Sequence, residues 1–138
     1  MNRKKSRELA MKALYQIEMN DVSAEQALEY LKMLNDEGDI IPEDEIDFSY
    51  IKDIIQGVIN HKDEIDEKIC AQLQNWTINR ISKTNLCILR LSVYEILYVD
   101  EIPNVVSVNE AIELAKQFSE DKSSKFINGV LDKFVRNN

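Results

Sequence analysis

Glycine and proline are scarce in this chain, at three and two residues of 138. With so few breakers, long segments run uninterrupted and carry Leu, Ile, Ala, Glu and Lys at helical spacing, which predicts an all-helical fold with short connections. No stretch alternates apolar and polar residues between turn signals, so strands are not expected. The two cysteines, Cys70 and Cys87, lie far apart, form no C-x-x-C and sit among apolar sequence neighbours. That pattern predicts reduced core thiols in a cytoplasmic protein. The single histidine, His61, lacks ligand partners at zinc-site spacing and has no Ser or Cys beside it, which leaves it as a helix-end cation or a solvent-facing group. Long apolar runs are missing too. The segment Leu86 to Val99 is too short to span a bilayer and contains Arg90 and Glu95, and the first residues carry no signal-peptide core, so no membrane segment is expected.

Catalytic signatures are absent as well: there is no glycine-rich phosphate loop, no nucleophile elbow, no metal-ligand spacing and no acid/base pair distinct from surface carboxylates. Neither an enzyme nor a cofactor is expected. What the chain does hold is 44% hydrophobic residues, enough for one core or for two small sub-bundles sharing one.

A net charge of −8 would by itself argue against nucleic acid. Its distribution says more than its total. Arg3, Lys4, Lys5, Arg7 and Lys12 crowd the start with only Glu8 among them, whereas Asp36 to Asp47 is acidic without a compensating base. The acidic segment, which includes Pro42, reads as a solvated loop and lacks the carboxylate pattern of a calcium loop.

The first helix is predicted from about Arg3–Ser6 to Met19, with Leu9, Ala10, Ala13, Leu14 and Ile17 as its buried stripe. Lys4, Glu8, Met11 and Tyr15 line up on the other side, flanked by Arg7. Cations beside an aromatic ring suit single-stranded RNA, because phosphates attract the former and unstacked bases lie on the latter. The plainer alternative is a solvated helix start with Tyr15 rimming the core. Ser23 and Gln26 form a capping-box pattern opening a second helix, with Ala27, Leu28, Leu31 and Leu34 inward and Gly38 as its stop. Ile51, Ile54, Ile55, Val58 and Ile59 mark a third; Ile65, Ile69, Cys70 and Leu73 a fourth, leading to Trp76, which covers a junction between halves or stacks on a base.

Ser82 or Thr84 can cap the next segment, Leu86 to Val99, which is apolar almost all round and must be packed on several sides. Ser107 with Glu110 reads as a capping box for a sixth helix, with Val108, Ala111, Ile112 and Ala115 on one stripe. After a polar break, Ser119 to Ser124, a seventh sets Phe126, Ile127, Val130, Leu131 and Phe134 on one side. Gly129 interrupts that helix, which predicts the close approach of another backbone.

Three ordered blocks carry a family resemblance: RELAMKALYQ near the start, ILRLSVYEILY in the middle, and EIPNVVSVNEAIELAKQF followed by KFINGVLDKF at the end. Together they span nearly the whole chain, and the sequence resembles the NusB family of transcription antitermination factors. The resemblance implies a compact bundle of about seven helices in two three-helix sub-bundles, about residues 1–75 and 76–138, around a central apolar helix. It implies binding to the boxA sequence of nascent ribosomal RNA leaders with the small-subunit ribosomal protein NusE, in an RNA polymerase antitermination complex. RNA contacts are then expected from Arg3, Lys4, Lys5, Arg7, Tyr15, Phe118, Lys122, Lys125 and Phe126. The protein partner is expected against Asn85, Tyr94, Asn104, Val105 and Val106. Some family members carry Asp in place of Lys122 and His in place of Ser124, and some carry Glu in place of Asn85. Two other readings are an RNA-binding accessory domain like that of some RNA cytosine methyltransferases, against which the chain's end at Asn138 counts, and a non-RNA helical adaptor or homodimer. Size-exclusion chromatography with light scattering distinguishes monomer from dimer.

Overall fold

The computed structural model describes residues 3–38, 46–74 and 77–137, and among these it contains seven α-helices, one 3-10 turn and no strand. The chain divides into two compact units, Met1–Gly57 and Val58–Asn138.

In the first unit, α1 (Lys4–Asn20) and α2 (Ala24–Gly38) form a packed hairpin. Asp21 stops α1 in the left-handed region at φ 54°, a conformation Asp tolerates, while its N–H bonds Ile17 O at 3.0 Å. The expected capping box opens α2: the Ser23 N–H donates to Gln26 Oε1 at 2.9 Å, and the Gln26 N–H to Ser23 Oγ at 3.0 Å. α3 (Phe48–Asn60) is capped by Asp47, whose Oδ1 accepts the Tyr50 N–H at 3.0 Å. The Asp47 N–H in turn donates to the Ser6 hydroxyl of α1 at 3.0 Å, tying α3's start to the first helix.

The buried side of α1 is rotated from the expected one. Ala10, Ala13 and Leu14 are inside as expected, but Ser6, Arg7 and Met11 join them, and Leu9 and Ile17 are only half-buried. On α2, Ala27 and Leu31 are buried and Leu28 half-buried. Ile51, Ile54, Ile55 and Val58 are buried on α3, while Ile59, expected inside, is 38% exposed. Pro42, Trp76 and most of the acidic loop lie outside the described residues.

In the second unit, α5 (Lys83–Tyr98) packs against α4 (Lys62–Cys70), α6 (Asn104–Phe118) and α7 (Asp121–Asn137). Every residue from Asn85 to Val93 is buried, as an all-round apolar helix requires. Ser82 caps it, accepting the Asn85 N–H at 3.2 Å. The two charges inside α5 have partners. Arg90 donates two parallel bonds to Asp66 of α4, at 2.8 and 2.9 Å, and Glu95, fully buried, accepts the Ser107 hydroxyl at 2.8 Å.

Ser107 therefore does not cap α6. The helix starts one turn earlier, after Pro103, whose fixed φ suits a helix start, and Ser107 turns inward to serve the carboxylate. The α6 stripe consists of Ser107, Ala111, Leu114 and Ala115, with Val108 and Ile112 half-buried. The break before α7 is only Ser119–Glu120, so Lys122 to Ser124 are helical. Ile127, Val130, Leu131 and Phe134 are buried as expected, and fully burying each such side chain contributes about 1.5–3 kcal/mol.

Two further expectations fail here. Gly129 is exposed, and a Cβ added to it would meet no atom within 4 Å, so no backbone approaches. Cys70 is exposed and only Cys87 is buried, because α4 turns Ile65 and Ile69 inward and Cys70 follows one position past that stripe.

Candidate nucleic-acid interface

In the first unit the candidate surface is the outer face of α1. Lys4, Lys5 and Lys12 are exposed on it, and Tyr15 is 39% exposed. Glu8 lies between the lysines, 3.6 Å from Lys5 Nζ and 3.4 Å from Lys12 Nζ. Exposed pairs of this kind contribute about 0.2–1 kcal/mol and yield readily to a stronger anion. Two arginines differ from expectation. Arg7 is only 5% exposed, since position 7 falls on the side of Met11 and Leu14, and the Arg3 guanidinium lies 4.5 Å above the Tyr50 ring. Met11, 3% exposed, likewise leaves the outer face, which is carried by the lysines and Tyr15.

The second unit holds a pocket of ≈ 570 Å³ where the start of α5, the end of α6 and the start of α7 meet. Phe118, Lys122 and Phe126 line it together, as three of the expected RNA-contacting residues; Lys125, exposed on α7, does not. Its floor is a hydrogen-bonded ring. Asn85 Nδ2 donates to Ser123 Oγ at 2.9 Å, the Ser119 hydroxyl donates to Asn85 Oδ1 at 2.8 Å, and the two serine oxygens are 3.0 Å apart. Ring closure lets each side chain both give and accept, which fixes the α6–α7 corner and hence the spacing of the two phenylalanines.

Sequence reasoning missed Arg80 and Glu120, which also line this pocket. It also grouped Asn85 with the protein-partner residues, whereas Asn85 is 8% exposed with its amide engaged in the pocket floor.

Tyr94 lies nine residues further along α5, roughly 14 Å at 1.5 Å per residue. Beyond it, Tyr98 stacks on His61 with ring centroids 4.4 Å apart and meets the Tyr94 ring at a tilt, 5.2 Å between centroids. The Tyr98 hydroxyl donates to Glu64 Oε2 at 2.7 Å, and this bond to a carboxylate raises the phenol above its ordinary 10.0. Asn104, Val105 and Val106 are exposed in the first turn of α6, Val105 at 63%. Among the described residues no cluster of His, Cys, Asp or Glu can hold a metal ion, and no helix is long and apolar enough to cross a membrane.

Among the described residues, seven helices in two units, with a lysine- and tyrosine-bearing helix face in one and an aromatic, cationic corner in the other, place the molecule among the all-α proteins. The NusB family model matches residues 4–136, and the chain belongs to the NusB family, which is non-enzymatic. It is 50% identical over 143 residues to the transcription antitermination protein NusB of Clostridium botulinum (strain Hall), covering 98% of this chain and 100% of that protein. The NusB of Listeria monocytogenes serotype 4a is likewise 50% identical, over 131 residues, covering 95% and 94%. Among solved structures, T. maritima NusB superposes with TM-score 0.84 at 31% identity, over 100% of this chain and 93% of that one. A crystal structure of antitermination factors NusB and NusE in complex with dsRNA is similar at TM-score 0.81 and 26% identity, over 99% and 97%.

Proposed function

We propose that this protein is a cytoplasmic transcription antitermination factor that binds the boxA segment of nascent ribosomal RNA leaders together with NusE, within an RNA polymerase antitermination complex. The observation that carries the reading is the convergence of Phe118, Lys122 and Phe126 on one pocket in a chain of the NusB family. Ring faces accept unstacked bases of single-stranded RNA, each worth about 1–3 kcal/mol, and the ammonium neutralises a phosphate. Lys4, Lys5 and Tyr15 offer the same pair of chemistries on α1, with Lys125 a further cation on α7. The two units act as one RNA-binding domain over residues 1–138.

NusE is assigned to the far end of α5, against Tyr94, Asn104, Val105 and Val106. The exposed Val105 and Val106 at the start of α6, with the Tyr94 and Tyr98 rings at the end of α5, supply the apolar centre that a protein interface needs. Asn85 belongs to the RNA end instead, as a positioning residue.

Titration of labelled boxA RNA and a scrambled control, with and without NusE, tests the proposal. Tighter binding of boxA than of the scrambled sequence, strengthened by NusE, is expected. Equal affinity for both sequences under both conditions would refute it.

A further inference from the structure

Arg80 is the last residue of the 3-10 turn Ile78–Arg80, and the turn is held at both ends: the Arg80 N–H donates to Thr77 O at 2.9 Å and the Ile81 N–H to Ile78 O at 3.2 Å. Ile81, 5% exposed, anchors the backbone directly after it. Arg80 itself is exposed, lines the same pocket as Phe118, Lys122 and Phe126, and makes no ion pair among the described residues. Its position is informative, because it reaches the pocket from the turn before α5, whereas Lys122 reaches it from α7. Among the described residues, Glu120 is the one acidic side chain that lines the pocket.

We infer that Arg80 is an RNA-contacting residue that binds a backbone phosphate at the pocket it lines with Lys122, so that one nucleotide is held by two cations from different elements with its base against the phenylalanines. The inference rests on the RNA-binding reading and extends it to a residue outside the expected set. A guanidinium suits the task through its planar fork, which matches phosphate oxygens in pairs, and through its weak hydration. Glu120 opposes the phosphate, and its removal strengthens binding.

The test is the salt dependence of RNA affinity for the full chain with NusE, comparing the unmodified protein with Arg80→Gln, Arg80→Lys, Lys122→Gln and Glu120→Gln on both boxA and scrambled RNA. A phosphate contact carries no sequence information, so Arg80→Gln should weaken both RNAs severalfold and make the log–log salt slope shallower by about 0.7, the single-strand value per phosphate. Arg80→Lys should restore the slope, and Glu120→Gln should tighten binding. An unchanged slope for Arg80→Gln alongside a shallower one for Lys122→Gln would overturn this inference and leave the RNA-binding reading standing. No RNA binding by the unmodified protein would overturn both. Because Arg80 is exposed, its variants should keep the parent's thermal midpoint, which confirms that any loss lies in binding.

Discussion

Glu95 and Ser107 show how far a single side chain's role depends on what surrounds it. By spacing alone, Ser107 and Glu110 have the form of a helix cap, and nothing local distinguishes a serine that caps from one that faces inward. The decision comes from twelve residues upstream, where a fully buried carboxylate has to be given a donor. Gly129 is the converse. A glycine within a helix reads as a packing site, yet its side faces open space, because Ile127, Val130 and Leu131 already take the inward positions. The glycine therefore costs conformational entropy with no packing gain in return. Gly129→Ala should raise stability by about 0.5–1 kcal/mol in urea denaturation, through the helix propensity and the reduced freedom of the unfolded chain. A loss of stability would mean that the position is crowded after all.

At the scale of elements, amphipathic periodicity located the α-helices of the described residues other than α5, since the 3.6-residue repeat is a local property, and α5 was marked instead by being apolar almost all round. The ends were less legible. α6 begins a turn early because Pro103 supplies a ready-made start, and α7 begins at Asp121 because Lys122 to Ser124 are tolerated in a first turn whose inner side is held by Ser123. Long-range pairs were not legible at all: Arg90 and Glu95 interrupt an apolar segment, and nothing in their spacing names a partner. Asp66 turns out to hold Arg90, joining α4 to α5 through side chains 23% and 8% exposed. Its replacement by alanine leaves a guanidinium desolvated beside an apolar helix. Asp66→Ala should cost about 3 kcal/mol by denaturant titration, near the lower end of the range for breaking a buried pair because Asp66 retains some solvent. A cost below about 1 kcal/mol would place this bond with the ordinary surface pairs.

For the whole molecule, net charge is a poor guide and local arrangement a good one. An excess of acid repels nucleic acid in general, and under the proposed function selective attraction falls to the few places where cations and rings coincide. The residues of those places were largely readable from the order of the sequence blocks. Their geometry was not, because exposure depends on the rotation of α1 about its axis. That rotation buries Arg7 and Met11 and leaves Lys4, Lys5 and Tyr15 exposed. Arg80 escaped the sequence reading for a similar reason, since only the folded turn brings it to the rim shared by Phe118 and Phe126.

RNA binding by one domain spanning both units requires the outer face of α1, as well as the pocket of Phe118, Lys122 and Phe126, to meet the transcript. With NusE present, the salt dependence of boxA RNA binding should be measured for the unmodified protein and for the variant carrying Lys4→Gln and Lys5→Gln. Loss of both phosphate contacts should make the log–log slope shallower by about 1.4, at 0.7 per contact. A variant whose slope and affinity both match those of the unmodified protein would contradict the account.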